Sequence, residues 1–362
     1  MRIINILQHV QPVNMGITMA ATAAAAYLKE KYDADTEIWF PGGKYNQQFG
    51  AAAPVQVQST NIGQLEDLMQ QRKLNAANDI IITHGPWNYQ TYWGHFLSQR
   101  NFKWIFVPHG TLEPWSLRQK WLKKKIYFLL FEKRLLQKAN LIQAISSPEQ
   151  KNLQQLFPNK KTVLIPNGIE VNDAANTIAA KEKIVFVFMA RLHHKKGVVP
   201  LVKAWLASSL NNNKKYQLII AGPDDGELKA LKKLLSQSQN AEYAGAVYGE
   251  EKKALLQQAS FFVLPSESEG FPVSLLEAAI AGLVPLITEG CNFPEILNAD
   301  AAIKTGTNAT AIQHSLEYCA GLSLPQIQKL SLQAAAFVKE NYNSAAIAEK
   351  QYSLYKELLN QF

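Results

Sequence analysis

The segment 265–278, which reads PSESEGFPVSLLEA, places the carboxylates of Glu269 and Glu277 and a glycine within a few residues of one another. A carboxylate can accept hydrogen bonds from two hydroxyl groups, so Glu269 and Glu277 suit a sugar and a ribose diol. Gly270 would let the backbone approach such a ligand closely. The alternative is that the acidic side chains only offset the dipole of a nearby helix. The residue types therefore indicate a sugar-nucleotide site, with dipole compensation as the simpler explanation.

A strand followed by a helix must hold this segment in place. The hydrophobic pattern predicts a strand over 260–264 and a helix that has Pro272 in its first turn and runs through Ala281. Free backbone amides at such a helix start, around Val273 and Ser274, favour binding of a phosphate group. The junction thus combines hydroxyl acceptors with a phosphate site.

A basic loop follows another predicted strand, in the sequence MARLHHKKG at 189–197. The guanidinium of Arg191 and the ammonium of Lys196 can clamp a diphosphate and neutralise charge on a departing nucleotide without a metal ion. The alternative is a solvated basic loop. His193 and His194 are expected to be exposed, because no carboxylate or cysteine lies beside them at a metal-site spacing.

A histidine followed by a glycine ends one of the predicted strands, in the sequence VPHGT at 107–111. The imidazole of His109 can hydrogen-bond a substrate hydroxyl or stabilise developing charge. A purely structural loop histidine is the alternative. His84 and Gly85 repeat the arrangement one strand earlier, and the sequence leaves open which histidine reaches deeper into a site.

Two further loops give weaker signals. The sequence NMGIT at 14–18 joins the first predicted strand to a helix over 19–28, and Gly16 either contacts a phosphate or simply permits the turn. Asp224 and Asp225 follow Gly222, and we interpret them as a turn that caps a helix over 227–235 rather than as metal ligands.

Strands alternate with helices along the whole chain, which is typical of parallel sheets covered by helices. The first set of predicted strands is 2–6, 37–40, 79–83, 103–107, 140–145 and 162–165. The second is 183–189, 216–221, 242–245, 260–264 and 284–288, with a weaker strand at 302–304. The pattern predicts an α/β protein with two doubly wound, Rossmann-like domains that face a central cleft.

The domain boundaries follow from the same pattern. We expect a first domain over 1–166, a second over 167–343, and a helix over 344–362 that packs back on the first domain. Pro166, Asn167 and Gly168, followed by the polar stretch 170–183, are typical of an interdomain linker.

The 362 residues are enough for two domains, and the 47% hydrophobic content is that of a globular protein. No apolar run is long enough to span a bilayer and no signal peptide is evident, so a cytoplasmic location is expected. Cys291 and Cys319 lack metal-ligand spacing and are expected to be buried thiols. The net charge of +8 indicates an anionic partner.

Much of the positive charge lies in the segment 115–138, which has eight basic residues and a single acidic one, Glu132. At helical spacing its apolar residues form two faces, one with Ile126, Leu129 and Leu136, the other with Phe128 and Phe131. One face suffices to cover a sheet, and the second could lie on an anionic membrane surface. The alternative is that both faces are buried, by neighbouring elements or by a break in the helix. Nucleic-acid binding is not expected, because no motif for it accompanies the charge.

Together these residues resemble the GT-B glycosyltransferases, and within them the retaining glycosyltransferase family 4, over essentially the whole chain. The resemblance rests on the two glutamates with seven residues between them, the Arg191 and Lys196 pair, the Pro-Asn-Gly junction, and Gly222 after the second strand of the second domain. It implies transfer of a sugar from a nucleoside diphosphate donor, held by the second domain, to an acceptor held by the first.

The resemblance also implies roles for single residues. Arg191 and Lys196 would bind the diphosphate, Glu277 the ribose, and His109 the donor sugar near its reacting carbon. The donor sugar would further contact Glu269 and the backbone of Gly270 and Phe271, and the base would lie near the backbone of 246–248, which includes Val247. Relatives carry a glycine pair where this chain has Met15 and Gly16, so Gly16 is carried over only as a donor contact. Such enzymes need no divalent metal or other cofactor.

The leading hypothesis is therefore a metal-independent, retaining glycosyltransferase, of the hexosyltransferase class, that acts on a glycan or lipid-linked saccharide in surface polysaccharide or lipopolysaccharide synthesis at the inner face of the cell membrane. A non-catalytic nucleotide-sugar-binding module and a GT-B synthase that acts on a soluble sugar are the alternatives. The base, the sugar, the acceptor and the linkage stay open.

Overall fold

The computed structural model describes residues 1–11, 15–42, 49–118, 126–171 and 183–360. Within it the chain divides into two compact units. Unit 1 comprises Met1–Glu170 and Asn343–Phe362, and unit 2 comprises Val171–Tyr342. Most of the predicted linker at 170–183, and the basic residues Lys120, Lys123, Lys124 and Lys125, lie outside the described residues.

Unit 1 contains a seven-stranded parallel sheet. Its strands in chain order are β1 Arg2–Ile6, β2 Asp35–Pro41, β3 Ala53–Val57, β4 Asp79–His84, β5 Lys103–Val107, β6 Leu141–Ala144 and β7 Thr162–Leu164. They lie in the order β3-β2-β1-β4-β5-β6-β7. The direction of winding therefore reverses between β1 and β4, and the side chains that follow those strands come together at that point.

The strand β3 was not expected from the sequence. It is a short, mostly exposed edge strand that pairs only with β2 and contains Pro54. An edge strand tolerates proline because one of its sides makes no ladder hydrogen bonds. Such a strand lacks the buried apolar run by which the other strands were found.

The described helices of unit 1 are α1 Met15–Thr22, α2 Ala25–Tyr32, α3 Ile62–Gln71, α4 Tyr89–Ser98, α5 Pro114–Arg118, α6 Lys133–Leu136, α7 Ser147–Leu156 and, at the end of the chain, Ser344–Asn360. The expectation of one helix over 19–28 is wrong. Two helices meet there, and the hydroxyl of Thr22 donates to the carbonyl of Thr18. Such back-bonding competes with the helical ladder and bends it.

The final helix, Ser344–Asn360, packs within unit 1. Tyr352 stacks on Tyr32 of α2, with ring centroids 3.7 Å apart, and Tyr355 is buried. Gly168 lies so close that a Cβ there would be 2.8 Å from the Cα of Ser344. The boundary between the units lies after Glu170 and before Asn343, a few residues from the predicted positions.

Unit 2 contains a six-stranded parallel sheet. Its strands are β8 Ile184–Met189, β9 Tyr216–Ala221, β10 Ala241–Gly245, β11 Phe261–Leu264, β12 Val284–Ile287 and β13 Ile303–Lys304. They lie in the order β10-β9-β8-β11-β12-β13, so the winding reverses between β8 and β11. The two parallel sheets confirm the predicted α/β, Rossmann-like class.

The longer helices of unit 2 are α8 Val198–Ala207, α9 Leu228–Leu235, α10 Gly249–Gln258, α11 Val273–Ile280, α12 Pro294–Asn298, α13 Ala309–Ala320 and α14 Leu324–Asn341. The central strands are buried almost completely, as the apolar runs of a covered parallel sheet require. Cys291 and Cys319 are free and buried, as expected.

Within its described residues, 115–118 and 126–138, the segment 115–138 does not follow the regular two-faced helix that its sequence suggested. Phe128–Glu132 is a π-helical turn that continues into α6, and a π turn shifts the register of side chains around a helix. Phe128 and Leu136 are buried although they were assigned to different faces, while Ile126, Leu129, Leu130 and Phe131 are exposed. Among the described residues, no helix is long and apolar enough to cross a membrane.

Candidate functional site

In unit 2, two loops meet where the sheet reverses its winding. A short helical turn, His194–Lys196, follows β8 and ends at Gly197, which has a φ of 73°. A Cβ on Gly197 would lie 2.3 Å from the carbonyl oxygen of Pro265, the residue after β11. Only glycine allows this approach, and it brings Lys196 beside the loop that contains Glu269.

Lys196 and Glu269 form an ion pair that is largely buried. The other carboxylate oxygen of Glu269 accepts a hydrogen bond from the hydroxyl of Ser266 at 2.5 Å. Burial raises the pKa of Glu269, but the neighbouring Lys196 ammonium outweighs it and the pKa lies below its usual value. Glu269 is therefore an ionised hydrogen-bond acceptor at neutral pH and not a general acid.

The backbone of Glu269 is held by the loop after β12, which the sequence analysis did not single out. The amide of Glu269 donates to the carbonyl of Gly290 at 2.7 Å, and the side-chain amide of Asn292 donates to the carbonyl of Glu269 at 2.5 Å. A Cβ on Gly290 would lie 2.4 Å from the carbonyl oxygen of Ser266. The only sequence signal for these residues is their position after the next strand of the sheet.

Lys195 adds a second cation to the same loop. Its side chain is partly buried, and burial together with the neighbouring Lys196 lowers its pKa to about 8. The expectation that both neighbouring histidines are exposed holds for His194 only. His193 is half-buried, and its imidazole accepts a hydrogen bond from the amide of Lys195.

Arg191 also follows β8 and forms an ion pair with Asp225 at 2.6 Å. Both side chains are partly exposed. The predicted capping role applies to Asp224 alone, whose carboxylate accepts hydrogen bonds from the amides of Gly226 and Leu228 at the start of α9. The structure thus corrects the interpretation of the Asp-Asp pair, because its second member is a partner of the basic loop.

Gly222 is located where the loops after β8 and β9 touch. Its φ is 142°, and a Cβ would lie 1.9 Å from the carbonyl oxygen of Ala190. Gly222 therefore lets the backbone around Arg191 approach β9, which is a packing role.

Glu277 lies in α11 and forms an ion pair with Lys252 of α10 at 2.7 Å. Both side chains are partly buried. Lys252 was not recognised in the sequence, because nothing in a surface helix indicates which of its lysines faces a neighbouring helix. Val247, in the loop before α10, is half-buried.

The start of α11 differs in detail from the prediction. The first helical residue is Val273, and Pro272 precedes it. The amide of Val273 donates to the carbonyl of Phe271 at 3.1 Å, so it is not free. The amide of Ser274 makes no such backbone hydrogen bond within the described residues. One of the two predicted phosphate donors is thus already occupied.

The side chain of Phe271 belongs to an aromatic cluster. Its ring stacks on Tyr342 with centroids 5.5 Å apart and lies 5.2 Å from Phe293. The ring is therefore held by other aromatic side chains, whereas the backbone of Phe271 and Gly270 belongs to the loop that contains Glu269.

His109 belongs to unit 1, where it lies against the other predicted histidine. Its Nε2 is 2.7 Å from Nδ1 of His84, whose Nε2 is 2.9 Å from Oδ1 of Asn5. Burial lowers the pKa of His109 to about 4 and the pKa of His84 well below its usual value. Both imidazoles are neutral at pH 7. His84 is the deeper of the two, a point that the sequence had left open.

The backbone around His109 is unusual and is held by a glutamate that the sequence analysis missed. His109 has a φ of 55° and Gly110 a φ of 74°. The amide of Gly110 donates to Glu149 at 2.5 Å, and the other oxygen of Glu149 accepts from the amide of Ile145 at 2.8 Å. A left-handed histidine is strained and persists only when its surroundings fix it.

The small cavity beside these histidines is not itself a sugar site. It has a volume of about 30 Å³ and is lined by Asn5, His84, His109 and Gln143 among others. That volume admits water and excludes a saccharide. Gly16, in contrast to its predicted place in a loop, lies in the first turn of α1. Within the described residues, no group of three or more His, Cys, Asp or Glu side chains could hold a metal ion.

Two family models match the chain. The model described as glycosyl transferases group 1 matches residues 170–319, and the model described as glycosyltransferase family 4 matches residues 56–173. Together they cover most of the chain and include every proposed site residue except Gly16.

Curated relatives are similar over about half of their length. A GDP-mannose:cellobiosyl-diphosphopolyprenol alpha-mannosyltransferase of Xanthomonas oryzae is 28% identical over 175 residues, which are 47% of this chain and 43% of that protein. The O-antigen biosynthesis glycosyltransferase WbnH of Escherichia coli is 29% identical over 195 residues, 53% of each chain. The chain thus spans about half the length of these curated relatives.

Among solved structures, HepE of Anabaena in complex with UDP has a TM-score of 0.77 at 16% identity, over 99% of this chain and all of that one. At this identity the likeness concerns the fold alone. It shows that the two Rossmann-like units are those of the GT-B architecture.

Proposed function

The chain resembles the GT-B glycosyltransferases of group 1 in both of its units, and we propose that it moves a sugar from a nucleoside diphosphate donor to a glycan or lipid-linked saccharide. The transfer retains the configuration of the sugar, requires no divalent metal, and serves the synthesis of a surface polysaccharide. Unit 2 binds the donor and unit 1 the acceptor.

The contact between Lys196 and Glu269 carries this proposal. It joins the loops after β8 and β11, the two strands between which the sheet of unit 2 reverses its winding. In open parallel sheets, ligands bind outside the carboxyl ends of the strands at such a point. A cation and an ionised carboxylate side by side suit a ligand that has phosphate at one end and hydroxyl groups at the other.

Each site residue then has a role. Arg191 and Lys196 bind the diphosphate and stabilise its charge as it leaves, which takes the place of a metal ion. Glu269 and the backbone of Gly270 and Phe271 hold the donor sugar, and the amide of Ser274 adds a phosphate contact. Glu277 accepts the ribose hydroxyls, with Lys252 as its partner in the free protein. Gly222 and Pro272 shape the loops, while Val247 lies near the base.

The reaction follows from these roles. The bond from the anomeric carbon to the diphosphate oxygen breaks, and the leaving oxygen takes the proton of the acceptor hydroxyl on the same face of the sugar. The acceptor oxygen then bonds to the anomeric carbon on that face, so the configuration is retained. Positive charge develops on the sugar during the step, and the neutral imidazole of His109 can stabilise it through a hydrogen bond. No other cofactor takes part.

The donor base is open to a direct test. The name of one relative includes GDP-mannose, whereas a structural neighbour is described in complex with UDP. Sugars linked to GDP, UDP and ADP should therefore all be tested. We expect the UDP-, GDP- or ADP-sugar that is the donor to raise the melting temperature, because a ligand stabilises the folded state with the logarithm of its concentration. Arg191→Ala should reduce the shift at a given ligand concentration, and Arg100→Ala, a surface arginine paired with Glu66, should retain it.

Two outcomes would overturn the proposal. No thermal shift with any nucleotide sugar at millimolar concentration would exclude donor binding. Stoichiometric binding with no transfer to any saccharide acceptor would instead favour a binding module without catalysis.

We further propose that unit 1 contacts an anionic membrane surface, where a lipid-linked acceptor is presented from the cytoplasmic side. The exposed apolar side chains of Leu129 and Phe131 lie within the basic segment 115–138, and such a combination binds the interface of anionic bilayers. Vesicles with phosphatidylglycerol should bind the protein in low salt and release it in high salt. Leu129→Ser with Phe131→Ser should weaken binding, and Leu332→Ser, an equally exposed leucine of unit 2, should not.

A further inference from the structure

Three polar side chains form a row across neighbouring strands of unit 1. Asn5 lies on β1, His84 ends β4, and His109 follows β5, strands that are adjacent in the sheet. The side chains are in hydrogen-bond contact in that order, at 2.9 Å and 2.7 Å. Asn5 and His84 are buried, and buried polar groups that make no use of their hydrogen bonds are costly.

The chemistry of each group gives the row a direction. The Oδ1 of Asn5 can only accept, so Nε2 of His84 must carry a proton and donate it. A neutral imidazole has a single N–H, which leaves Nδ1 of His84 as an acceptor. The Nε2 of His109 is then the donor of the second hydrogen bond. His109 is left with an unprotonated Nδ1, which has no hydrogen-bond partner among the described residues.

We propose that Asn5 and His84 are positioning residues that hold His109 as its Nε2–H tautomer, so that its Nδ1 accepts a hydrogen bond from a sugar hydroxyl. The second part of this statement rests on the proposed function, whereas the first part concerns the protein alone. His109 thereby selects a ligand group that donates a hydrogen bond and disfavours one that can only accept.

The surrounding backbone fixes the ring positions that this arrangement needs. The amide of Gly85 donates to the carbonyl of Val107 at 2.8 Å, and the side-chain amide of Gln90 donates to the carbonyl of His84 at 3.2 Å. On the other side, Glu149 holds the amide of Gly110. These hydrogen bonds fix the backbone beside each of the two histidines, and the planes of their imidazoles make an angle of 22°.

The tautomers can be measured without any ligand. In protein labelled with ¹⁵N-histidine, two-bond and three-bond correlations at pH 7 distinguish a protonated Nε2 from a protonated Nδ1. We expect both His84 and His109 in the Nε2–H form, with assignments from His84→Gln and His109→Asn. The exposed His314 serves as an internal reference. A protonated Nδ1 on either residue would overturn the proposal, because the row would then run in the opposite direction.

The role of Asn5 has a separate test. Asn5→Leu removes the acceptor, so the preference of His84 for its Nε2–H form should fall by roughly tenfold, the worth of one hydrogen bond. An unchanged tautomer in folded Asn5→Leu protein would show that Asn5 does not set it. In the transfer assay, the same variant should lower kcat more than it raises KM for the donor. A failure of that assay with the expected tautomers in place would count against the proposed function alone.

Discussion

The ammonium of Lys196 contacts the carboxylate of Glu269 across 73 positions of sequence, in a pair whose side chains are 11% and 7% exposed. Removal of one partner leaves a buried charge without compensation. We expect Lys196→Met or Glu269→Gln to lower the free energy of unfolding by about 3–5 kcal/mol, measured by urea denaturation.

Two controls separate this effect from the loss of a charge as such. Lys304 pairs with Glu289 on the surface, and Lys304→Met should cost no more than about 1 kcal/mol. The double variant of Lys196 and Glu269 should cost less than the sum of the single variants, since neither charge is then left alone. Additive costs would mean that the two side chains do not interact.

Gly222 gives a prediction about backbone packing. A Cβ there would lie 1.9 Å from the carbonyl oxygen of Ala190, and the φ of 142° disfavours any side chain. We expect Gly222→Ala to destabilise unit 2 by more than about 2 kcal/mol. Gly16→Ala is the matched control, because nothing lies within 4 Å of its Cβ in α1 and alanine favours a helix by about 0.5–1 kcal/mol. Equal effects at the two glycines would contradict the packing role of Gly222.

The sequence located the strands and the charged side chains that follow them more reliably than the contacts between those side chains. The bounds of β1, β5 and β9 agree with the prediction, because a buried strand is a local apolar run. Asp225, Lys252 and Asn292 were missed as partners of Arg191, Glu277 and Glu269. Those partners lie 34, 25 and 23 positions away, and no local pattern specifies which distant elements pack together.

The two helical faces expected for the segment 115–138 are not found over its described residues, for a related reason. Its assignment to two faces assumed a regular repeat of 3.6 residues, whereas the π-helical turn at Phe128–Glu132 changes the repeat. Glu132 is fully buried there and accepts hydrogen bonds from the amide of Trp87 and the hydroxyl of Thr91. A single acid in a basic stretch gave no sign that it faces the interior.

Arg191 and Asp225 should affect nucleotide binding in opposite directions. The carboxylate of Asp225 pairs with the guanidinium of Arg191 at 2.6 Å. A diphosphate that binds Arg191 would have to displace this carboxylate. Arg191→Ala should weaken binding of the nucleoside diphosphate by roughly tenfold or more, the worth of a charge-assisted hydrogen bond. Asp225→Asn should strengthen it slightly. Isothermal titration calorimetry measures both, and weaker binding in both variants would argue that the ion pair itself forms the site.

Glu277 should discriminate ribose from deoxyribose. We expect the wild-type protein to bind the ribonucleotide more tightly than its 2′-deoxy analogue, because the carboxylate can accept both hydroxyl groups. Glu277→Gln should reduce that ratio toward one. Lys252→Met removes the partner of Glu277 but keeps the carboxylate, so it should preserve the preference. If Glu277→Gln left the ratio of the two affinities unchanged, Glu277 would not be the residue that binds the ribose.

The histidines of unit 1 predict a dependence of stability on pH. Burial lowers the pKa of His109 to about 4, from an ordinary value of 6.5. Between these values the unfolded chain binds a proton that the folded protein does not. Its contribution to the free energy of unfolding therefore falls as the pH is lowered from 6.5 to 4, by up to about 1.4 kcal/mol for each pH unit.

Two carboxyl groups act in the opposite sense, so the effect of His109 must be taken from a comparison. Burial raises the pKa of Glu113 and of Glu149 to about 7. Because the folded protein binds these protons more readily than the unfolded chain, they raise the free energy of unfolding as the pH falls from 7 to 4.5. His109→Asn keeps a side chain that tolerates a positive φ and removes the titration of His109. The stability advantage of the wild-type protein over His109→Asn, from urea denaturation at pH 7, 6 and 5, should shrink as the pH falls. An advantage that stays constant over this range would mean that His109 titrates in the folded protein as it does in the unfolded chain.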